Sequence, residues 1–311
     1  MTTAIDKTLR IGMLGYGEVG RIVGGALAAQ GLAWVGTWDL LLRDAAKAPA
    51  MRTQAQGAGI QACDSPAALT AQADVVISAV TASNTLAAAS DAAAALRPGT
   101  FFLDFNSASP ETKQQCAKLI EAAGGHYVEA GVMTSVPPYG IRVPMVVGGK
   151  RAAELAAKLV PLGFAMEVVS DTIGVASAIK MCRSVIIKGM EAIVIESFST
   201  ARQYGVEARV LESLAETFPG LDWEKQGAYF FSRVVQHGKR RAEEMREAAR
   251  TVGEAGFDPF MASATADRQA WVAGLAARGV FAGMAKDADW REYADRVIAT
   301  TEDTAKKPRS A

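Results

Sequence analysis

Lys180, Arg183 and Lys188 follow one another through "GVASAIKMCRSVIIKGMEA", residues 174–192, among Val, Ile, Met and Ala. A buried ammonium is costly unless it is paired, neutralised or in use, so three cations in an apolar helical stretch require an explanation. Positions 180, 184, 187, 188 and 191 recur at spacings of three and four, which puts Lys180, Ser184, Lys188 and Glu191 on one broad face with Arg183 on its flank. Read alone, this is a solvated stripe with Lys188 and Glu191 as an ordinary pair. The bulky apolar residues of "VIIKGMEAIVIESF" argue instead for a helix buried nearly all round, and a lysine buried beside a ligand is a candidate acid/base group.

A ligand site is signalled upstream by "GYGEVG", which follows an apolar run and opens a helical stretch. In such a loop Gly15 makes the tight turn, Gly17 lets the backbone approach a pyrophosphate, and Gly20 lets helix and strand pack closely. Tyr16, Glu18 and Val19 complete the loop at the positive end of the helix dipole. Asp39 ends the next strand, where a carboxylate hydrogen-bonds the adenosine ribose and repels a 2′-phosphate. NAD is therefore the favoured cofactor, with NADP left open by Arg43. Two further strand ends, "SAVTASN" and "DFNSASP", place Val80, Thr81, Asn84, Asn106 and Ser109 at the edge where open α/β sheets bind ligands. Thr81, Asn84 and Ser109 read equally well as helix N-caps. Asn106 ends its strand ahead of any cap and is the better site residue.

The elements that must position these groups are legible as alternation. Residues 9–15, 32–39, 73–80, 99–106, 125–132 and 144–149 read as short apolar strands separated by Ala-rich helical stretches, the pattern of right-handed crossovers and a doubly wound parallel sheet. From residue 174 the strand pattern ceases, and helices are expected over 174–204, 207–217, 222–236, 237–255, 258–275 and 287–299. Two domains follow: residues 1–170 for the dinucleotide and residues 171–311, all α-helical, for substrate and dimerisation. The 311 residues are half hydrophobic, enough for two cores, and 33 basic residues balance 33 acidic ones, so no global field recruits nucleic acid or an anionic membrane. Three separated cysteines without a ligand pattern point to buried, reduced thiols, no metal, and a cytoplasmic setting. No apolar run is long enough to span a membrane, and "MTTAIDKTLR" lacks a signal-peptide core.

In order and spacing, "IGMLGYGEVG", "FFLDFNSASPETK", "YVEAGVMTS", "VPMVVGG" and "GVASAIKMCRS" together resemble the β-hydroxyacid dehydrogenase superfamily, which includes 3-hydroxyisobutyrate and 6-phosphogluconate dehydrogenases. Within it, the chain looks most like the phosphogluconate-dehydrogenase-like NAD-binding branch, with a Rossmann domain and a helical C-terminal domain. The resemblance implies hydride transfer between nicotinamide and a small anionic hydroxy acid or oxo acid. Lys180 would be the general acid/base, its proton affinity lowered by burial and by neighbouring cations. Ser184 occupies the place of a substrate-binding Asn. Met133, Thr134 and Ser135 occupy that of a Ser-Gly-Gly whose amides hold the substrate carboxylate. Ile187 replaces the Glu of decarboxylating members, so decarboxylation is not implied. Arg183 and Lys188 are further candidate substrate contacts. His237 and Arg241 match, by type, an Arg and a His that a partner subunit supplies in a homodimer formed through the helical domain. An imine or keto reductase on the same scaffold, or a non-catalytic dinucleotide-binding protein, are the alternatives.

Overall fold

The computed structural model describes residues 5–285 and 287–305. They form two compact units, residues 1–182 and 183–311. The division falls inside a long helix, whereas residue 170 marks the point at which strand gives way to helix.

In the first unit, β1 (Arg10–Leu14) leads through α1 (Glu18–Ala28) to β2 (Trp34–Trp38), then α2 (Ala48–Gly57), β3 (Gln61–Ala62), α3 (Pro66–Thr70) and β4 (Val75–Ser78). The second half runs α4 (Thr85–Ala93), β5 (Phe101–Asp104), α5 (Pro110–Ala122), β6 (His126–Val132), β7 (Pro144–Gly148), α6 (Ala152–Leu159) and β8 (Ala165–Ser170). The sheet order is β3-β2-β1-β4-β5-β6-β7-β8, parallel except for the antiparallel β6–β7 pair. Strand polarity alternates faces, and here both faces are dry. Ile11, Met13, Val75, Ile77 and Leu103 enter one core cluster, while Leu14, Val76 and Phe102 enter the other. That is why these strands read as continuous apolar runs rather than alternating ones. The expected doubly wound parallel sheet with a helical C-terminal region is thus present. Sequence periodicity overlooked β3 and β8: the first is two residues long, and the second is a partly exposed strand at the sheet edge.

The second unit takes up α7 (Val175–Tyr204), which enters it from the first, followed by α8 (Glu207–Thr217), α9 (Trp223–Glu254), α10 (Phe260–Ala277) and α11 (Trp290–Ala305). Its core is aromatic: Phe198 lies 4.8 Å, centroid to centroid, from Trp290, which stacks on Phe231. The two helices expected over 222–236 and 237–255 are one continuous helix, α9. Gly238, just past the expected boundary, is a packing residue. A Cβ there would lie 2.9 Å from the Gln269 carbonyl oxygen and 3.1 Å from the Ala273 Cβ, so its absence is what lets α10 lie against α9.

The same helix holds a natural control, Gly253, with no atom near its missing Cβ. Gly253→Ala is expected to stabilise the protein by up to about 1 kcal/mol through helix propensity. Gly238→Ala is expected to destabilise it by about 1–2 kcal/mol, because overpacking outweighs the same propensity gain. Urea unfolding of the two variants reads the opposite signs directly.

Candidate active site

The carboxyl ends of β1, β2, β4 and β5 converge where the sheet order reverses. Gly15 adopts φ +101°, a left-handed conformation that a side chain would strain, and its N–H donates to the Trp38 carbonyl at 2.8 Å. A Cβ on Gly20 would lie 2.1 Å from the Gly15 carbonyl oxygen, so only glycine lets α1 start this close to β1. Gly17, by contrast, is exposed with open space beside it. This is a cradle into which a pyrophosphate fits, facing the first turn of α1 that Glu18 opens. Val19 packs on the core and Tyr16 is buried, so both hold the loop's shape. The Tyr16 N–H donates to Asp39 Oδ2 at 2.7 Å and the Leu41 N–H to Asp39 Oδ1 at 2.9 Å. These bonds aim the Asp39 carboxylate at the loop while leaving lone pairs for a ribose. Arg43 is exposed, with its guanidinium 5.1 Å from the centre of the Trp38 ring.

β4 and β5 bring the next group together. Asn106 is buried; its Oδ1 accepts from the Val80 N–H at 2.7 Å, and its Nδ2 donates to Ser78 Oγ at 3.0 Å. Thr81 and Asn84 bond to each other, Nδ2 to Oγ1 at 2.8 Å, and neither side chain caps the helical turn it opens. Ser109 does cap, accepting from the Thr112 N–H. Beneath Asn106 lies a fully buried Asp104. Its carboxylate accepts from the Asn106 N–H at 2.8 Å and the Tyr127 hydroxyl at 2.6 Å, and pairs with Lys113 Nζ at 3.0 Å. Burial, and then the adjacent Asp104 charge, hold the Tyr127 phenol well above its ordinary pKa, so it remains a donor. Burial likewise pushes the Cys116 thiol up to about 12 and the Cys63 thiol up to about 11. These two cysteines are inert core residues, whereas Cys182, expected to be buried, is exposed on α7.

Lys180 reaches this edge from α7. Its Nζ is 2.6 Å from Ser107 Oγ, beside Asn106. The start of α7 is held by Glu129, a fully buried carboxylate on β6 that accepts from the N–H groups of Gly174 at 2.7 Å, Ala176 at 3.0 Å and Ser177 at 3.2 Å. Gly131, one step further along the same face of β6, completes the fit. A Cβ there would lie 2.9 Å from the Ala176 carbonyl oxygen and 3.2 Å from the Lys180 Cβ. Glu129, Ser107 and Asp104 escaped the sequence reading. An acidic residue inside "HYVEAGV" or "FFLDFN" is nevertheless a legible signal, since a charge in a buried strand requires a partner. Nothing marked Ser107. After β6, the Met133 N–H extends the ladder to the Pro144 carbonyl at 2.9 Å, Thr134 is exposed, and Ser135 is half-buried in the loop that follows.

α7 is not buried all round, contrary to the reading from its composition. Ile186 is 64% exposed and Ile193 55%; Arg183 is exposed and Lys180 half-buried. Apolar residues on every side of a helix need not all be covered, because apolar atoms make up much of any protein surface. Within the second unit, Lys188 is buried and pairs with Glu244 at 2.8 Å, while its Nζ donates to Ser184 Oγ at 3.2 Å. Arg241 is buried in a two-pronged pair with Glu191, which also accepts from Gln269. His237 is half-buried on α9. Lys188 and Arg241 thus meet carboxylates of their own unit, and Glu191 answers to Arg241 rather than to Lys188.

Because the space beside Gly17 is open, Gly17→Ala is expected to leave the melting temperature within about 2 °C of wild type while weakening reduced-nicotinamide binding tenfold or more. Fluorescence titration alongside thermal unfolding checks both halves.

Compared with known families, residues 10–165 match the NAD binding domain of 6-phosphogluconate dehydrogenase, and residues 201–272 match a domain of unknown function (DUF1932). Among solved structures, a conserved hypothetical protein from Sinorhizobium meliloti 1021 is 38% identical with a TM-score of 0.74, over 94% of this chain and 96% of that one. The conserved protein MTH1747, of unknown function and described as structurally similar to 3-hydroxyacid dehydrogenases, is 31% identical with a TM-score of 0.67, over 87% of this chain and 99% of that one. The 3-hydroxyisobutyrate dehydrogenase of Mycobacterium tuberculosis shares the fold, with a TM-score of 0.68 at 19% identity, over 93% of this chain and 99% of that one.

Proposed function

Because the chain belongs to the family of the NAD binding domain of 6-phosphogluconate dehydrogenase, within the β-hydroxyacid dehydrogenase superfamily, we propose that it is a dehydrogenase or reductase acting on a small hydroxy acid or its oxo acid, with Lys180 as general acid/base. Its cofactor is NAD(P). The observation that carries the reading is the bond from Lys180 Nζ to Ser107, which brings the lysine of α7 to the strand-end loop that also holds Asn106.

A dinucleotide held here would supply or accept the hydride. The chain's residues do the rest: Gly15, Gly17 and Gly20 with the start of α1 hold the pyrophosphate, Asp39 the ribose, and Val80, Thr81, Asn84 and Asn106 the nicotinamide half. In the oxidative direction, Lys180 as the neutral amine takes the proton from the substrate hydroxyl as its C–H bond breaks. In the reductive direction, the Lys180 ammonium returns that proton to the new alkoxide oxygen. The loop at Met133, Thr134 and Ser135 orients the substrate carboxylate, and Arg183, exposed one turn beyond Lys180, adds positive charge that attracts it. Ser184 and Lys188 support the helix through their bond to each other. His237 and Arg241 belong to the dimer's contribution to substrate binding, with Arg241 acting through its pair with Glu191. We infer NAD rather than NADP because a 2′-phosphate would meet the Asp39 carboxylate.

The partner is a second copy. Ile186 and Ile193 stand exposed seven residues apart on α7, and Ile193 lines a groove of about 560 Å³ together with Val206, Val210 and Met261. An apolar row at this spacing suits packing against another helix. Among the described residues no helix is long and apolar enough to cross a membrane, and the exposed free Cys182 suits the reducing cytoplasm.

Three outcomes are expected. In a panel of 3-hydroxy acids, sugar acids and aryl hydroxy acids with NAD or NADP, at least one acid is turned over, and Lys180→Ala lowers its kcat by about 10²- to 10⁴-fold while dinucleotide affinity stays within twofold. Unchanged turnover in that variant defeats the assignment. Asp39→Ala shifts the NAD-to-NADP preference in kcat/KM toward NADP by tenfold or more. Finally, light scattering finds a dimer for the wild type and a monomer for the Ile186→Asp, Ile193→Asp double variant.

A further inference from the structure

Two buried carboxylates stand side by side at the carboxyl end of the sheet, since Asp104 of β5 is the register partner of Glu129 of β6. Each holds one of the two pieces of backbone that meet at the lysine. Asp104 takes the Asn106 N–H and so anchors the loop from 105 to 109, whose far end is tied down by the Ser109 cap of α5. Glu129 takes the first amides of α7 and so anchors the turn from which Lys180 projects. Ser107 and Lys180 are the residues that join across, at 2.6 Å. The hydroxyl is thus placed from both sides.

We propose that Ser107 is a positioning residue for the proton of Lys180, accepting a hydrogen bond from the ammonium and donating one to the neutral amine. The inference rests on the reading of Lys180 as acid/base. A lysine that alternates between two protonation states needs a neighbour that serves both. A serine hydroxyl does so by rotation, since it is at once a donor and an acceptor. A carboxylate in its place accepts only, and would lock the lysine as ammonium. Asp104 is paired with Lys113 of α5 and bonded by Tyr127 of β6, Glu129 is taken up by the α7 amides, β7 carries no charged residue, and Arg183 on α7 itself is exposed. The cofactor is not needed for this arrangement, so it can be tested without turnover.

The test is a pH titration by NMR of the full-length protein without cofactor, labelled with ¹³Cε-lysine, the Lys180 signal being assigned by its loss in Lys180→Arg. A hydrogen bond to a charged group is stronger than one to its neutral form. Ser107→Ala is therefore expected to lower the Lys180 midpoint by about half a unit or more, Ser107→Asp to raise it by about one unit or more, and Ser107→Thr to leave it at the wild-type value. Midpoints that coincide in the Ala, Asp and wild-type proteins, or that fall in any other order, overturn the proposal. The dispersion of the remaining lysine signals shows that each variant is folded. The failure of the acid/base reading is separate, since it appears in the turnover of Lys180→Ala, whereas this titration reports only whether Ser107 sets the lysine's proton affinity.

Discussion

The carboxylate of Glu129 at the start of α7 is the contact on which the candidate site depends. A helix begins with amides that have no partner inside it, and a buried start must find them one. Here a fully buried side chain of β6 satisfies those of Gly174, Ala176 and Ser177 and supplies the negative charge that a helix N-terminus favours. Each such bond contributes about 1.5–3 kcal/mol, and taking the carboxylate out of water costs several kcal/mol, so the two terms nearly offset. The net effect is on position more than on stability. α7 can dock at one height and one rotation only, and both are transmitted to Lys180 one turn further on.

Asp104 plays the corresponding part for the loop after β5. Its pairing with Lys113 leaves the ion fully buried and fully bonded, an arrangement whose loss would strand a charge in the core. Glu191 and Arg241 repeat the device within the helical unit, with Gln269 as a third member. Asp104 and Glu129 end or interrupt strands that lead into segments with candidate site residues, and Glu191 shares α7 with Lys180. Glycine supplies the complementary constraint. Gly131 lets α7 close on β6, Gly20 lets α1 close on β1, and Gly238 lets α10 close on α9. Carboxylates hold the elements in place, and missing side chains set how near they come.

Much of this is legible in the chain itself. "GYGEVG" after an apolar strand, followed by Asp39 at the end of the next, is a local pattern, and its pieces lie where that pattern requires. Asn106 likewise lies buried just past a strand, as its place in the sequence predicts. A local sign misleads where its cause is distant. The helix boundary expected between 236 and 237 is absent, and no sequence window shows that α10 is pressed against α9 at Gly238. Ile186 and Ile193 resembled core residues because hydrophobicity reports a preference and not a location. β8 was missed because an edge strand with half of its residues exposed has no clean period.

By itself, then, the sequence determined the doubly wound sheet, the dinucleotide loop, the helical second half and the face of α7 on which Lys180, Ser184, Lys188 and Glu191 lie. These follow from periodicity and turn chemistry, which act over a few residues. Only the tertiary structure decided which group each charge would meet: Ser107 for Lys180, Glu244 for Lys188, Glu191 for Arg241, and the first amides of α7 for Glu129. A helical period says which way a side chain points along its own axis. It says nothing of what has been packed opposite, and a buried charge takes its role from that.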